Sequence, residues 1–214
     1  MNVLVVAPHP DDEVIGCGGT LCQYAKEGAR ITVVFLTSGE LGLKHLPVPK
    51  AQTLREREAN QAAKLLGVRG LHFLRAPDWF VGSATGKLAT RLGKILELEM
   101  PQLIFVPHQG EWHPDHKAAL PLLAAALTKS RAPIPEIRTY EVWTPLTEFD
   151  HVINITSIMP RKLRALRAHK SQLKEFNYER AIRGLNAFRG ELQAKCRYAE
   201  VFQTVRLVHT RRKA

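Results

Sequence analysis

Val3-Leu4-Val5-Val6-Ala7-Pro8-His9-Pro10-Asp11-Asp12 decides the fold. The apolar run is short and β-branched, as strands buried on both faces of a parallel sheet are. A proline restricts the residue before it to extended backbone and suits the first position of a helix. The stretch therefore reads as a strand, His9 in the turn, Pro10 opening a helix, and Asp11 and Asp12 in the first helical turn. There the positive end of the helix dipole favours carboxylates. The same phrase returns later, with Leu103-Ile104-Phe105-Val106 as the strand and His113-Pro114-Asp115-His116 beyond it.

Strand and helix signals alternate outward from these two points. A helix over 16–28 ends on its glycine, 31–37 is a strand, and Ser38-Gly39-Glu40 is a turn. The stretch 41–50, with Gly42, Pro47 and Pro49, reads as a surface loop. Next come a helix over 52–66 closed by Gly67, a strand over 70–74, and a helix over 84–98 leading into the strand at 103–106. A helix from the second phrase runs to Lys129, followed by strands over 137–143 and 151–155, basic helices within 157–195 and a last strand inside 197–208. This order predicts an α/β fold, a mostly parallel sheet with helices on both faces. In the common strand order 3-2-1-4-5, strands one and four are neighbours and the crevice opens between their carboxyl ends. Those two strands carry the His-Pro-Asp phrases. Without repeats or a linker, residues 1–214 read as one domain that includes the basic segment 157–214.

Composition narrows the function. The chain has 214 residues, 45% of them hydrophobic, enough for one well-buried core. The amino-terminal stretch reads as a strand and not as a signal peptide. No apolar stretch reaches the length of a membrane span. Cys17, Cys22 and Cys196 are three in number without C-x-x-C spacing, which suits reduced thiols and a cytoplasmic location. The net charge is +11, and residues 160–214 hold 15 Lys/Arg against 4 Asp/Glu, while the rest of the chain is balanced. No nucleic-acid motif accompanies that excess, so no nucleic-acid partner is expected. A solvated helix face accounts for most of it, and Arg161, Lys162, Arg164, Arg167 and Lys170 are the candidates for attracting an anionic substrate.

The residue types at the two strand ends spell a chemistry. Two histidines and a carboxylate are metal-ligand types, and a further carboxylate and histidine suit a general base and acid. This points to a metal-dependent hydrolase. Gly16, Gly18 and Gly19 do not follow G-x-G-x-x-G and read as a close-packed helix start rather than a dinucleotide loop.

Four stretches together resemble the LmbE/PIG-L family of zinc-dependent N-acetylglucosaminyl de-N-acetylases. They are Ala7-Pro8-His9-Pro10-Asp11-Asp12-Glu13 running on to Thr20, Thr37-Ser38-Gly39-Glu40-Leu41-Gly42, Arg55-Glu56-Arg57-Glu58 running to Gly67, and His113-Pro114-Asp115-His116. The resemblance covers at least residues 1–120, and Ala168-His169-Lys170-Ser171-Gln172 resembles a later family element. It implies a Rossmann-like three-layer sandwich and hydrolysis of the acetamide of an N-acetylglucosamine-type amino sugar or its conjugate, a small-molecule partner. Carried over by position, His9, Asp12 and His116 are the metal ligands, for zinc with iron(II) as a substitute in the cell. Asp11 is the general base, His113 stabilises the oxyanion, and Asp115 holds His113 protonated and oriented. Glu40 and Arg55 match positions implied to face the pocket. Asp78, His108 and Trp112 lie at the correct sheet end to touch substrate. Glu13 is a helix-start acid, and the oligomeric state is left open, a homo-oligomer included.

Two rivals belong to other classes. His9-x-Asp11 with a distant His116 also spells the 2-His-1-carboxylate triad of iron(II) oxygenases, which are usually all-β. A non-catalytic basic module binding nucleic acid or an anionic surface through 160–214 would show salt-dependent binding indifferent to metal.

Overall fold

In the computed structural model, which describes residues 1–207, the strand at the amino terminus lies in the interior of a single sheet. The strands are β1 (Asn2–Ala7), β2 (Arg30–Thr37), β3 (Gly70–Ala76), β4 (Leu103–Pro107), β5 (Glu136–Tyr140), β6 (His151–Asn154) and β7 (Ala199–Thr204). The helices are α1 (Asp12–Lys26), α2 (Val48–Leu66), α3 (Thr85–Glu99), α4 (Pro114–Lys129), α5 (Met159–Leu166) and α6 (Tyr178–Arg189). Sheet order is β3-β2-β1-β4-β5-β7-β6. The first five strands pair in parallel, and β7 runs antiparallel to both β5 and β6. The fold is thus the expected α/β sandwich, extended by an antiparallel edge. His209 and the tail 211–214 lie outside the described residues.

Alternation along β1 divides the core into two layers. Val3, Val5 and Ala7 pack with residues of α1, α2 and α5, whereas Leu4 and Val6 pack with residues of α3 and α4. With both faces covered, every residue of β1 after Asn2 is buried, which explains its unbroken apolar run. The glycines of α1 serve close packing: a Cβ on Gly16 would strike the Tyr140 ring, and one on Gly19 would sit 2.7 Å from Ile155.

Several boundaries differ from expectation for local reasons. Only 44–47 of the expected loop 41–50 lies outside helical structure, because Glu40–Leu43 forms a 3-10 turn and α2 begins at Val48, with Pro49 in its first turn. Strand β5 stops at Tyr140 and not at 143. The backbone N–H groups of Val142, Trp143 and Thr144 turn inward to donate to the Glu111 carboxylate, 2.7–3.2 Å away, and so leave the ladder.

The basic segment holds more buried charge than a solvated face would. Lys162 is fully buried and its Nζ donates to Glu200, Asn186 and the carbonyl of Ile15 at 2.7–2.8 Å. Glu200 in turn accepts from the backbone N–H groups of Gly19 and Thr20. This pair ties α1, which begins at Asp12, to α5 and β7.

Candidate active site

The two His-Pro-Asp phrases meet because β1 and β4 are hydrogen-bonded neighbours, in register Val3↔Leu103 through Val5↔Phe105. The second phrase folds as its sequence reads. His113 is the N-cap of α4 with extended backbone, Pro114 follows, and Asp115 and His116 occupy the first turn. The first phrase departs from that pattern. Pro10 does not open the helix; Asp11 is the N-cap with φ +125°, and α1 starts at Asp12. Such a φ is strained for any side chain. Local bonds hold it: the Asp11 N–H donates to Glu13 Oε2 at 3.1 Å, and Arg55 Nη2 donates to the Pro10 carbonyl at 2.6 Å.

At the centre, His9 Nδ1, His116 Nε2 and Asp12 Oδ2 form a triangle with edges of 3.2, 3.3 and 3.3 Å. Donors placed about 2.0–2.1 Å from one tetrahedral ion lie about 3.3–3.4 Å apart, so the triangle has the dimensions of a three-ligand metal face. Two further groupings contain His9, one with His113 and His116 and one with Asp78 and Asp115, each with donor atoms within 4.8 Å of one another. All three edges of the triangle match the spacing around one ion.

The outward nitrogens of both histidines are backed by carboxylates. His9 Nε2 lies 3.1 Å from Asp78 and 3.3 Å from Asp115, and His116 Nδ1 lies 3.5 Å from Glu111. A carboxylate behind a ring fixes its tautomer and turns the other lone pair toward a metal. Burial opposes charging His116, but the adjacent Asp12 carboxylate raises its pKa to about 9. Asp12, despite its burial, is held well below the usual carboxylate range by His116 and His9. A cluster that draws positive charge in this way suits a divalent cation.

Around the triangle stand the groups for proton traffic. Burial, with the neighbouring Asp12 charge, pushes Asp11 up to about 7 against the pull of Arg55, whose guanidinium is 3.5 Å away. His113 is pulled down to about 4 by burial and by the His9 and His116 charges. Its Nδ1 accepts from the Asp115 N–H at 3.2 Å, which leaves Nε2 as the N–H donor of a neutral ring. The expected pairing of the Asp115 carboxylate with His113 is therefore not what forms. That carboxylate accepts from the N–H groups of Trp79 and Val81 at 2.7 and 3.0 Å and backs His9.

The remaining sequence candidates divide. Asp78 sits in the cluster, its other oxygen accepting from Leu41 N–H, and Glu40 caps the Asp78 N–H at 3.3 Å. Arg55 is buried beneath the Asp11 turn and braces it, a different place from an open substrate contact. His108 uses both ring nitrogens on backbone, Nδ1 accepting from the Gly110 N–H of its own loop and Nε2 bonding the Thr144 carbonyl of the loop after β5. Trp112 is exposed beside His113, ring centroids 5.7 Å apart. His169 is buried 3.9 Å from Glu13, without a hydrogen-bond partner among the described residues. Two residues escaped the sequence reading: Glu111 behind His116, and Trp143, whose ring lies 5.5 Å from both His113 and His116. Each had a signal, an acid just before the second phrase and an aromatic just past β5.

Comparison with known proteins shows what the chain as a whole is similar to. Residues 4–127 match the model of the PIG-L family, described as GlcNAc-PI de-N-acetylase. A probable N-acetyl-alpha-D-glucosaminyl L-malate deacetylase 2 of Bacillus anthracis is 32% identical over 187 residues, 80% of this chain and 81% of that one. The crystal structure of the conserved protein TT1542 from Thermus thermophilus superposes with a TM-score of 0.83 at 30% identity, over 99% of each chain. That of N,N'-diacetylchitobiose deacetylase from Pyrococcus horikoshii gives 0.84 at 28% identity, over 95% of this chain and 83% of that one.

Proposed function

The chain belongs to the PIG-L (LmbE) family, and from that premise we propose that it is a zinc-dependent N-deacetylase of an N-acetylglucosamine-type amino sugar or its conjugate. The observation that carries the reading is the triangle of His9, Asp12 and His116, which are to hold the metal. Two histidines and a carboxylate leave a tetrahedral ion one open position, the arrangement of catalytic zinc. Iron(II) accepts the same donors. A divalent ion held there supplies Lewis acidity toward water and the amide oxygen.

The chain's own residues do the rest. Asp11, with a carboxyl at about 7, takes a proton from the attacking water and returns one to the departing nitrogen near neutrality. Hydroxide adds to the acetamide carbonyl, the C–N bond breaks, and acetate and a primary amine result. Neutral His113 donates its Nε2 proton as a hydrogen bond to the carbonyl oxygen as negative charge grows there. Asp78 and Asp115 keep His9 oriented, and Glu111 does so for His116. Trp112 and Glu40 remain the candidates for contact with the sugar, and Arg55 is assigned to bracing Asp11. The basic segment acts within the same catalytic unit by tying α1 down through Lys162.

Neither rival gains support. The α/β sheet is unlike the all-β home of the oxygenases, and Lys162 and Arg189 of the basic segment are buried in ion pairs with Glu200 and Glu141. No helix among the described residues is long and apolar enough to cross a membrane. The test is an assay of acetate and amine release across a panel of N-acetylglucosamine conjugates, with metal analysis of the same protein. Equimolar acetate and amine are expected; oxygen uptake with iron(II) and 2-oxoglutarate instead would favour the oxygenase.

A further inference from the structure

His169 is fully buried, and neither of its ring nitrogens has a hydrogen-bond partner among the described residues. A donor and an acceptor left unbonded in a core cost free energy, so such a residue calls for an explanation. Burial and the charge of Arg55 push the imidazole down to about 3, so the ring is neutral, with one donor and one acceptor nitrogen. The stretch that carries it is fastened down. Ser171 donates its N–H and its hydroxyl to the buried Glu58 of α2 at 2.9 and 2.6 Å, and the Gln172 N–H donates to the His169 carbonyl at 3.1 Å. Lys170 is left outside and His169 inside.

What the ring faces is Glu13. His169 Nε2 lies 3.9 Å from Glu13 Oε1, and no other carboxylate among the described residues stands as near to it. Glu13 is itself buried and turns its other oxygen, Oε2, to the Asp11 N–H at 3.1 Å. That N–H belongs to the turn with φ +125°, and the side chain of the same residue is the proposed general base. A strained turn keeps its shape only where its surroundings over-determine it. A carboxyl group held by a single N–H is free to swing, and with it the turn.

Resting on the deacetylase reading, we infer that His169 is a positioning residue: acting through Glu13, it holds the Asp11 turn, and so the general base, in its working orientation. At 3.9 Å the pair is an electrostatic contact rather than a direct hydrogen bond. In a dry core such a contact still favours one orientation of the carboxyl group. A neutral imidazole can also answer Glu13 in either protonation state, donating to a carboxylate or accepting from a carboxylic acid. A ring that only filled space would be replaced by leucine without loss. His169 lies beyond residues 4–127, which match the family model, so the later part of the chain supports chemistry written in the first.

The experiment compares the wild type with His169→Leu and His169→Gln in kinetics, metal content, thermal unfolding and the NMR resonance of the Asp11 backbone amide. His169→Leu takes two unbonded nitrogens out of the core, so it is expected to keep its metal and to melt at the same temperature or higher. Its kcat nevertheless falls by about ten- to a hundredfold, the scale of a misplaced catalytic group, with KM nearly unchanged. His169→Gln, whose amide offers both a donor and an acceptor, recovers most of that loss. The Asp11 amide, which reports the bond to Glu13, shifts in His169→Leu and returns in His169→Gln. In a Glu13→Gln background the leucine change adds little further loss, as residues acting through each other predict; full additivity overturns the inference. Unchanged kcat, an unmoved amide or a melting point well below the wild type in His169→Leu also overturns it and leaves deacetylation standing. A moved amide in a protein whose wild type releases no amine from any conjugate supports the positioning role, and the deacetylase reading alone fails.

Discussion

His9 Nδ1 and His116 Nε2 lie 3.2 Å apart across a sequence separation of 107 residues. Neither nitrogen can be explained by pairing with the other alone, since Asp12 Oδ2 lies 3.3 Å from both. Removing one corner should therefore empty the site. Asp12→Ala and His116→Ala are expected to lose stoichiometric metal, while Asp11→Asn keeps it and loses most turnover, because an amide cannot accept the water's proton. Metal content of the three purified variants checks this, and equal content in all would contradict the division of roles.

His113→Ala should keep its metal and fold while kcat falls by about 10²–10³, the effect of losing an oxyanion donor. Steady-state kinetics beside metal analysis decide the matter. A loss confined to KM would place His113 in ground-state binding.

The +125° φ of Asp11 gives a stability prediction. Both Asp11→Gly and Asp11→Ala remove the carboxylate, but only glycine accepts that backbone. The glycine variant should be the more stable by about 1–3 kcal/mol, and both should be inactive. Denaturant unfolding of the two measures the difference; equal midpoints would mean that the turn relaxes without strain.

How much of this was legible in the sequence depends on whether the signal was local. The strands β1 and β4 were legible as two short apolar runs, and the meeting of His9 with His116 followed once the common order 3-2-1-4-5 was assumed for them, while the antiparallel edge of β7 and β6 was not foreseen. The Asp11 turn was not legible. Pro10 signals a helix start, and what overrides it are contacts from Glu13 and from Arg55, on α2. The end of β5 was hidden for a similar reason, since the partner that draws away 142–144 is Glu111, distant in sequence. Lys162 read as one more cation of a basic helix; its burial depends on Glu200, and no periodicity announces such a pair.

Glu111 accepts three successive backbone N–H groups and stands behind His116. Glu111→Ala should weaken metal affinity by about 10–100-fold, as loss of a group orienting a ligand does. It should also destabilise the fold by leaving those donors unmatched, the buried Val142 N–H above all. Glu111→Gln, which still presents an acceptor oxygen, should do less of both. Chelator competition and thermal unfolding give the two readings.

Breaking the buried pair at Lys162 is expected to cost about 3–5 kcal/mol, because Lys162→Met strands the Glu200 carboxylate in the core. Adding Glu200→Gln should recover part of that loss. Unfolding curves of the single and double variants test the coupling, and additive losses would show that the two charges do not depend on each other.

Whether the His9, Asp12 and His116 triangle is a catalytic metal site is decided by titrating zinc into metal-free protein while following acetate release from an N-acetylglucosamine conjugate. No release at the start, a linear rise, and saturation at one equivalent of zinc per chain are expected. Full activity in the metal-free protein, or no release at one bound equivalent with any conjugate, would contradict that role.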